Sequence, residues 1–274
     1  MSSTTDRHEF ASDNTAAICP EAFAALQEAN AGNAASYGED KWTKRVCDQV
    51  REIFETDCDV FFVFNGTAAN SLALSQLCQS FHSIICHEFA HIETDECGGP
   101  EFFTKGSKLL PVAGANGKLD LVQVEAVVAK QRDFHSHKPR AISVTQATEF
   151  GTVYTVEELG TIADIARRYS LRLHMDGARF ANAVAALDCA PKTISWQAGV
   201  DVLCFGGTKN GTAAGWLVST NAIRSFACAA VRVIAAVRRR RIRWAGIFVS
   251  GLSVSQSRCR ANLRKPEMTP RRLL

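Results

Sequence analysis

Short apolar runs alternate with amphipathic segments along the first 220 residues of the chain. The amphipathic segments place apolar residues every three or four positions, which predicts helices at 20–31, 42–55, 67–79, 120–131, 156–169 and 178–187. The apolar runs are rich in β-branched and aromatic residues, which predicts strands at 59–64, 83–86, 141–145, 171–175 and 202–205. A continuous run such as 59–64 suits a strand that is buried on both faces.

Strands and helices that alternate at this spacing predict an α/β fold, in which helices cover both faces of a mostly parallel sheet. Thr155 and Glu158 have the spacing of a capping box and mark the start of one helix. Ligands of such folds bind beyond the carboxyl ends of the strands. The residues that directly follow predicted strands are therefore the candidates for chemistry.

Lys209 lies in the sequence Gly-Gly-Thr-Lys-Asn-Gly, directly after the predicted strand 202–205. Glycines on both sides let the backbone approach a ligand and adopt positive φ. An apolar wall at the strand end would favour the neutral amine, the form that attacks an aldehyde. A solvated turn lysine explains the segment equally well. The segment lacks the spacing of a phosphate-binding P-loop.

Asp176 follows the predicted strand 171–175 and precedes a glycine turn. A carboxylate at this place can pair with a protonated pyridine nitrogen. Arg179, three residues later, can bind a carboxylate or phosphate with two parallel hydrogen bonds. The alternative is that Asp176 only caps the helix 178–187.

Gly66 and Thr67 begin the predicted helix that follows strand 59–64. The free N–H groups and the dipole of a helix start attract an anion, and the Thr67 hydroxyl can add a hydrogen bond. Many α/β proteins have an ordinary strand-to-helix turn of the same kind, so this segment alone is not specific.

His87 and His91 match the H-E-x-x-H pattern of zinc proteases. That pattern requires both histidines on one face of a helix and a third ligand downstream. Here the match follows a predicted strand and is soon followed by Gly98-Gly99-Pro100. We therefore predict no metal site, and a single histidine, His91, stacked on a cofactor ring fits the strand-end position better.

The ten cysteines are scattered and form no C-x-x-C pair. This pattern indicates buried, reduced thiols. The N-terminus lacks the apolar stretch of a secretory signal, and no run of about 18 apolar residues predicts a membrane helix. We expect a cytoplasmic protein that does not bind a membrane.

The net charge of +3 hides two parts of opposite sign. Residues 221–274 contain twelve Arg, one Lys and one acidic residue, whereas residues 1–220 contain 18 basic and 27 acidic residues. Five arginines between Arg238 and Arg243 could bind phosphates of a nucleic acid. No aromatic platform or binding motif accompanies them, so we predict no nucleic-acid partner.

Taken in chain order, these segments resemble the L-threonine aldolase family, the β-eliminating lyase branch of fold type I enzymes that use pyridoxal 5'-phosphate. The resemblance covers about residues 8–215, and its motifs lie at 10–15, 36–40, 65–67, 91–99, 146–151, 176–179 and 205–211. Each motif alone is weak, but seven motifs in the same order are specific.

The resemblance implies a role for each candidate residue. Lys209 would carry pyridoxal phosphate as a Schiff base, Asp176 would hold the pyridine nitrogen, and His91 would stack on the ring. The remaining cofactor-binding residues would be Gly66, Thr67 and Thr208.

The resemblance also implies how the substrate would be bound. Ser12 and Arg179 would hold the substrate carboxylate. Glu149 stands where many members of the family have a histidine, and it would orient a water or bind the β-hydroxyl group. Family members are homo-oligomers, dimers or tetramers, and Tyr37 is the candidate for a residue contributed across their interface.

The implied activity is cleavage of L-threonine, allo-threonine or another β-hydroxy amino acid to glycine and an aldehyde. Two alternatives stay open, namely β-elimination on another amino acid and an inactive, truncated relic. The family continues into a small C-terminal domain, which we expect to be missing or replaced here. We interpret residues 221–274 as an atypical tail, either disordered or produced by a reading-frame shift near residues 215–230. An encoding DNA without an aldolase-like continuation in another frame would refute the frame shift.

Overall fold

The structure, a computed structural model, describes residues 12–130, 134–212 and 215–220. The predicted tail at 221–274 and the first two residues of the motif at 10–15 lie outside this part of the chain. The described residues form eight α-helices: α1 Pro20–Ala29, α2 Lys41–Phe54, α3 Gly66–Leu77, α4 His91–Thr94, α5 Gly99–Phe103, α6 Leu121–Lys130, α7 Val156–Arg168 and α8 Phe180–Leu187.

In the part of the chain that the structure describes, seven strands form one sheet: β1 Asp59–Val63, β2 His82–His87, β3 Lys108–Val112, β4 Lys138–Thr145, β5 Arg172–Gly177, β6 Val202–Gly206 and β7 Trp216–Thr220. Their order is β1-β7-β6-β5-β4-β2-β3. The five strands from β2 to β6 pair in parallel, whereas β7 runs antiparallel to both of its neighbours. This confirms the predicted α/β fold with a mostly parallel sheet.

Helices cover both faces of the sheet, because alternate residues of each buried strand point to opposite sides. On β6, Leu203 and Phe205 pack in the core with α2, α6, α7 and α8. Val202 and Cys204 of the same strand pack in a second core with α3 and α4. Every residue of β6 is buried, as its continuous apolar run predicts.

Two strands have no counterpart in the sequence prediction. Strand β3 contains Pro111, which has no N–H for a ladder hydrogen bond and is tolerated because β3 lies at the sheet edge. Strand β7 lies between β1 and β6 and begins at Trp216, whose ring lies against Gly66 and Gly206. The mostly parallel alternation of the chain gave no signal for this antiparallel insertion.

The expectation that the run 59–64 is buried on both faces is wrong. Strand β1 is an edge strand paired only with β7, and its residues are exposed or half-buried in the described part of the chain. Phe64, which follows the strand, has 61% of its surface exposed. The short apolar run therefore identified the strand correctly. It did not reveal that the strand lies at the edge of the sheet, where it has a neighbour on one side only.

The starts of three helices determine how the chain enters the site. Asn65 caps α3 by accepting the Ala68 N–H at 2.9 Å, so that Gly66 is the first helical residue. Thr155 and Glu158 form the predicted capping box at α7. Helix α8 begins two residues later than predicted, at Phe180.

Among the described residues, no helix combines the length and apolarity needed to span a membrane.

Candidate active site

Lys209 lies in a short 3-10 helix, Thr208–Asn210, directly after β6. The Asn210 side-chain amide donates to the carbonyl oxygens of Gly206 at 2.5 Å and Ala178 at 3.1 Å, which ties this turn to the segment after β5. Only 13% of the Lys209 side chain is exposed, and its Nζ lies 3.9 Å from Asp13 Oδ1. The structure therefore shows a confined lysine beside a carboxylate and not a solvated turn lysine.

Asp176 is buried near the end of β5, with 3% of its surface exposed. Its Oδ1 accepts the Ala178 N–H at 2.9 Å, and its Oδ2 accepts from Asn70 Nδ2 at 2.8 Å. Helix α8 begins after Ala178 and has Arg179 as its N-cap without a side-chain cap. Asp176 thus closes the turn ahead of the helix but is not its N-cap residue, and its second oxygen bonds to Asn70 instead.

His91 begins α4, and its Nδ1 lies 3.0 Å from Glu96 Oε1. This hydrogen bond raises the pKa of His91, and the negative charge of Glu96 adds to the effect. Burial raises the pKa of Glu96, and hydrogen bonds from His91 and Asn70 offset part of that rise. Glu96 Oε1 also accepts a hydrogen bond from Asn70, so it acts as an acceptor. We therefore assign the hydrogen of the contact between His91 and Glu96 to Nδ1 of His91.

Glu149 follows β4 and contacts His91 through the backbone. Its Oε1 accepts the His91 N–H at 3.0 Å, and its Oε2 is buried without a hydrogen-bond partner among the described residues. Burial raises the pKa of Glu149, and the negative charge of Asp176 raises it further. The structure therefore brings Glu149, His91 and Asp176 into one electrostatic environment.

Arg179 binds a carboxylate of the chain itself. Its Nε donates to Asp13 Oδ2 at 2.5 Å, and its Nη2 donates to Asp13 Oδ1 at 3.0 Å. The neighbouring Ser12 accepts the Asn14 N–H with its hydroxyl at 3.2 Å. The Arg179 fork therefore has the orientation that bidentate carboxylate binding requires. Whether Ser12 and Arg179 hold a substrate carboxylate stays a prediction.

Gly66 and Thr67 lie in the first turn of α3, where backbone N–H groups have no partner within the helix. A Cβ atom built on Gly66 would lie 2.8 Å from Trp216 Cζ2. The residue must therefore be glycine for the Trp216 ring to pack against the helix start. The sequence pattern singled out Gly66 but gave no sign of Trp216.

Replacing Gly66 with alanine is expected to lower the free energy of unfolding by about 1–3 kcal/mol, because the Trp216 ring must move. The same shift should weaken phosphate binding at the helix start. Urea unfolding of the cofactor-free chain and a titration with pyridoxal phosphate measure the two effects. Gly160→Ala in α7 is the matched control, since nothing lies within 4 Å of its Cβ position and alanine favours a helix. Equal stability of the two variants would contradict the proposed packing constraint.

The H-E-x-x-H match does not form a helical zinc site. His87 is the last residue of β2 and His91 the first residue of α4. The His87 ring contacts the Gly114 carbonyl oxygen at 3.1 Å and accepts the Phe89 N–H at 3.1 Å. Within residues 12–130, 134–212 and 215–220, no group of three or more His, Cys, Asp or Glu is arranged to hold a metal ion.

The roles of two further predicted site residues, Thr208 and Tyr37, stay predictions. Thr208 begins the 3-10 helix that contains Lys209. Tyr37 has a positive φ of 63° and 69% of its surface exposed. The contribution of Tyr37 across an oligomer interface stays a prediction.

Three residues at the site were not among the predicted site residues. Asp13 contacts Lys209 and Arg179, while Asn70 and Glu96 connect Asp176 to His91. Asp13 and Glu96 lie within motifs of the family resemblance, which is the one signal that pointed to them. Asn70 carried no signal of its own.

Comparisons with known proteins identify the family and the fold of the chain. The sequence profile of the beta-eliminating lyase family matches residues 9–264. The low specificity L-threonine aldolases of a Pseudomonas species and of Pseudomonas aeruginosa are each 58% identical to the chain over 212 residues, which are 77% of this chain and 61% of the relative. The chain thus spans about three fifths of the length of these relatives.

A similar fold is found in the threonine aldolase of Leishmania major. It superposes with a TM-score of 0.78 at 24% identity and covers 90% of this chain and 72% of that one. At this identity the likeness concerns the fold alone, whereas the match to the family profile spans most of the sequence. The chain belongs to the beta-eliminating lyase family, on the branch that includes the L-threonine aldolases.

Proposed function

We propose that this site binds pyridoxal 5'-phosphate on Lys209 and cleaves L-threonine, allo-threonine or a related β-hydroxy amino acid to glycine and an aldehyde. One observation carries the proposal, namely that Asp176 and Lys209 lie near enough to His91 to act on its charge, at the carboxyl edge of the sheet. The names of the Pseudomonas relatives support the substrate class.

The residues present fit this cofactor chemically. Lys209 supplies an amine of limited exposure for the aldehyde. Asp176 supplies a buried carboxylate suited to a protonated pyridine nitrogen, and the first turn of α3 supplies N–H donors for a phosphate. The aldehyde, the ring nitrogen and the phosphate of the cofactor therefore each have a partner of complementary chemistry.

The bound cofactor would act as an electron sink while the Cα–Cβ bond of the substrate breaks. Arg179 would bind the substrate carboxylate, exchanging Asp13 for it, because its fork is already oriented for a carboxylate. The ring of His91 would cover the cofactor, held in place through Nδ1 by Glu96.

Glu149 is the group proposed to take the β-hydroxyl proton, directly or through one water. Its Oε1 is held by the His91 N–H, while its buried Oε2 has no partner within the described residues and can accept the proton. Burial raises the pKa of Glu149, which makes the ionised carboxylate a stronger base than an ordinary one. The proton thus passes from the β-hydroxyl oxygen to Glu149, and the electron pair of the O–H bond forms the C=O bond of the aldehyde. The electron pair of the broken Cα–Cβ bond stays on Cα, where the cofactor would stabilise it until a proton returns to Cα and gives glycine.

Glu149→Gln is expected to lower kcat/KM by about 10²–10⁴-fold, the usual contribution of a general base. In the wild-type chain the ionised form of Glu149 is required. Activity should therefore fall as the pH drops through its raised pKa, and this acidic limb should disappear in Glu149→Gln. Measured pH profiles of both proteins test this, with Glu88→Gln, a neighbouring exposed carboxylate, as the control. An acidic limb that persists unchanged in Glu149→Gln would assign it to another group.

A single assay separates the proposed function from its main alternative. Purified chain with pyridoxal phosphate and L-threonine should release acetaldehyde and glycine. A β-eliminating lyase acting on another amino acid would instead release ammonia and a keto acid. Release of ammonia and a keto acid without acetaldehyde would overturn the proposed cleavage reaction.

A further inference from the structure

Asn70 lies on α3, one helical turn after Gly66, and only 1% of its surface is exposed. Its Nδ2 donates to Glu96 Oε1 at 2.8 Å and to Asp176 Oδ2 at 2.8 Å. An amide group has two hydrogens on this nitrogen, so both are used in bridging the two carboxylates. A single side chain thus connects residues that are 26 and 106 positions away in the sequence.

The bridge continues to the imidazole of His91. Glu96 Oε1 accepts from Asn70 and also lies 3.0 Å from His91 Nδ1, and the Glu96 side chain is fully buried. At the other end, the second oxygen of Asp176 is held by the Ala178 N–H. The four side chains therefore form one hydrogen-bonded chain, His91–Glu96–Asn70–Asp176, that runs from α4 through α3 to β5.

We infer that Asn70 and Glu96 are positioning residues that fix His91 and Asp176 relative to each other at one cofactor site. This inference rests on the proposed function. Without the bridging amide, the carboxylates of Glu96 and Asp176 would face each other with no shared donor and would repel. Glu96 then loses a donor that favours its ionised form, and His91 loses the charge that orients it.

The inference predicts that the titration of His91 depends on Glu96 and Asn70, which a purely structural role of these two residues would not require. Four ionisable groups act on His91: Glu96 and Asp176 from the chain of hydrogen bonds, Lys209 from the turn after β6, and Glu149 at its backbone N–H. Glu96 is the first cause of the raised His91 pKa. Removing the charge of Glu96, or the donor that supports it, should therefore lower the pH at which His91 titrates.

The first experiment follows the His91 imidazole by NMR in the 274-residue chain without cofactor, assigned by comparison with His91→Gln. In Glu96→Gln the titration midpoint should fall by about one pH unit or more, as expected when an adjacent opposite charge is lost. Asn70→Leu, which keeps the approximate volume but has no donor, should shift it in the same direction. Ser71→Ala is the matched control, because Ser71 is the next residue of α3, fully buried, and its hydroxyl has no partner among the described residues.

The second experiment measures pyridoxal phosphate affinity and the visible absorption band of the same variants. Asn70→Leu should bind the cofactor about tenfold more weakly than Ser71→Ala, the effect of losing one hydrogen bond to a charged group. Urea unfolding identifies the variants that fold, and if Asn70→Leu does not fold, Glu96→Gln decides the question. An unmoved His91 midpoint in folded Glu96→Gln would overturn the inference. A wild-type chain without a band would instead contradict the proposed function, so the two failures are distinguishable.

Discussion

Lys209→Ala is expected to eliminate both the visible absorption band of bound pyridoxal phosphate and the cleavage of L-threonine. The side chain of Asn210 fixes the turn that contains Lys209 by hydrogen bonds to the carbonyl oxygens of Gly206 and Ala178. Alanine at position 209 should therefore leave the backbone of the turn in place. The variant therefore loses the amine that would condense with the cofactor aldehyde, and no other amine in the described part of the chain is assigned to that role. We expect kcat/KM to fall by about a thousandfold or more, as for other residues that form a covalent intermediate.

Two further variants separate the amine chemistry of Lys209 from its charge. Lys209→Arg keeps a cation beside Asp13 but has no amine that can condense with an aldehyde, so it should be as inactive as Lys209→Ala. Lys192→Ala is the matched control, since Lys192 also lies in a short 3-10 helix and pairs with a carboxylate, Glu55. It should keep the band and change stability by no more than about 0.5 kcal/mol. A band that survives in Lys209→Ala would refute the assignment.

The positions of Lys209 and Asp176 could be predicted because the relevant signals are local. Each follows a short apolar run and adjoins glycines, and the carboxyl ends of parallel strands meet at one edge of the sheet. The seven ordered motifs then led to the family, which the profile match confirms. Strand ends and their order were therefore sufficient to name residues that the structure brings to one edge of the sheet, and their roles stay predictions.

The partners of these residues could not be predicted in the same way. Asn70 meets Asp176 only because α3 packs on the face of the sheet toward which Asp176 points, a contact across 106 positions. Asp13 meets Arg179 across 166 positions. Hydrophobic periodicity identifies the face that a helix buries, but it does not specify which of its polar residues will meet a given strand.

The place of a strand in the sheet was equally difficult to predict. Strand β1 has an apolar run like that of β6, but β1 is an edge strand and β6 is fully buried. Strand β6 pairs with β5 on one side and with β7 on the other, whereas β1 pairs with β7 alone. Pairing between distant segments decides such positions, and the composition of a single run carries no information about its neighbours.

Asp176→Asn is expected to cause the second large loss of activity. Asparagine keeps the shape of the side chain but loses the charge that would pair with a protonated ring nitrogen. It also places an NH2 group opposite either Asn70 Nδ2 or the Ala178 N–H, where two donors would meet. We expect kcat/KM to fall by about a hundredfold or more, the scale of a lost electrostatic contact in a water-excluded site.

Asp201→Asn is the matched control for this substitution. Asp201 precedes β6 and accepts from Arg172 Nη1 and the Leu173 N–H, both at 2.8 Å, so it is also a carboxylate with two donors. Its loss should reduce the free energy of unfolding without changing the absorption band or the cleavage rate of the folded protein. Equal losses of activity in the two variants would indicate that any such substitution only disturbs the fold.

A cofactor analogue with carbon in place of the ring nitrogen tests the contact itself. With this analogue the wild-type chain should lose about as much activity as Asp176→Asn loses with pyridoxal phosphate. Asp176→Asn with the analogue should lose little more, because both changes remove the same interaction and their effects are not additive. Fully additive losses would show that Asp176 acts elsewhere, for example only on the turn at Ala178 and on Asn70. The double comparison therefore distinguishes an aspartate that holds the ring nitrogen from one that only holds the protein.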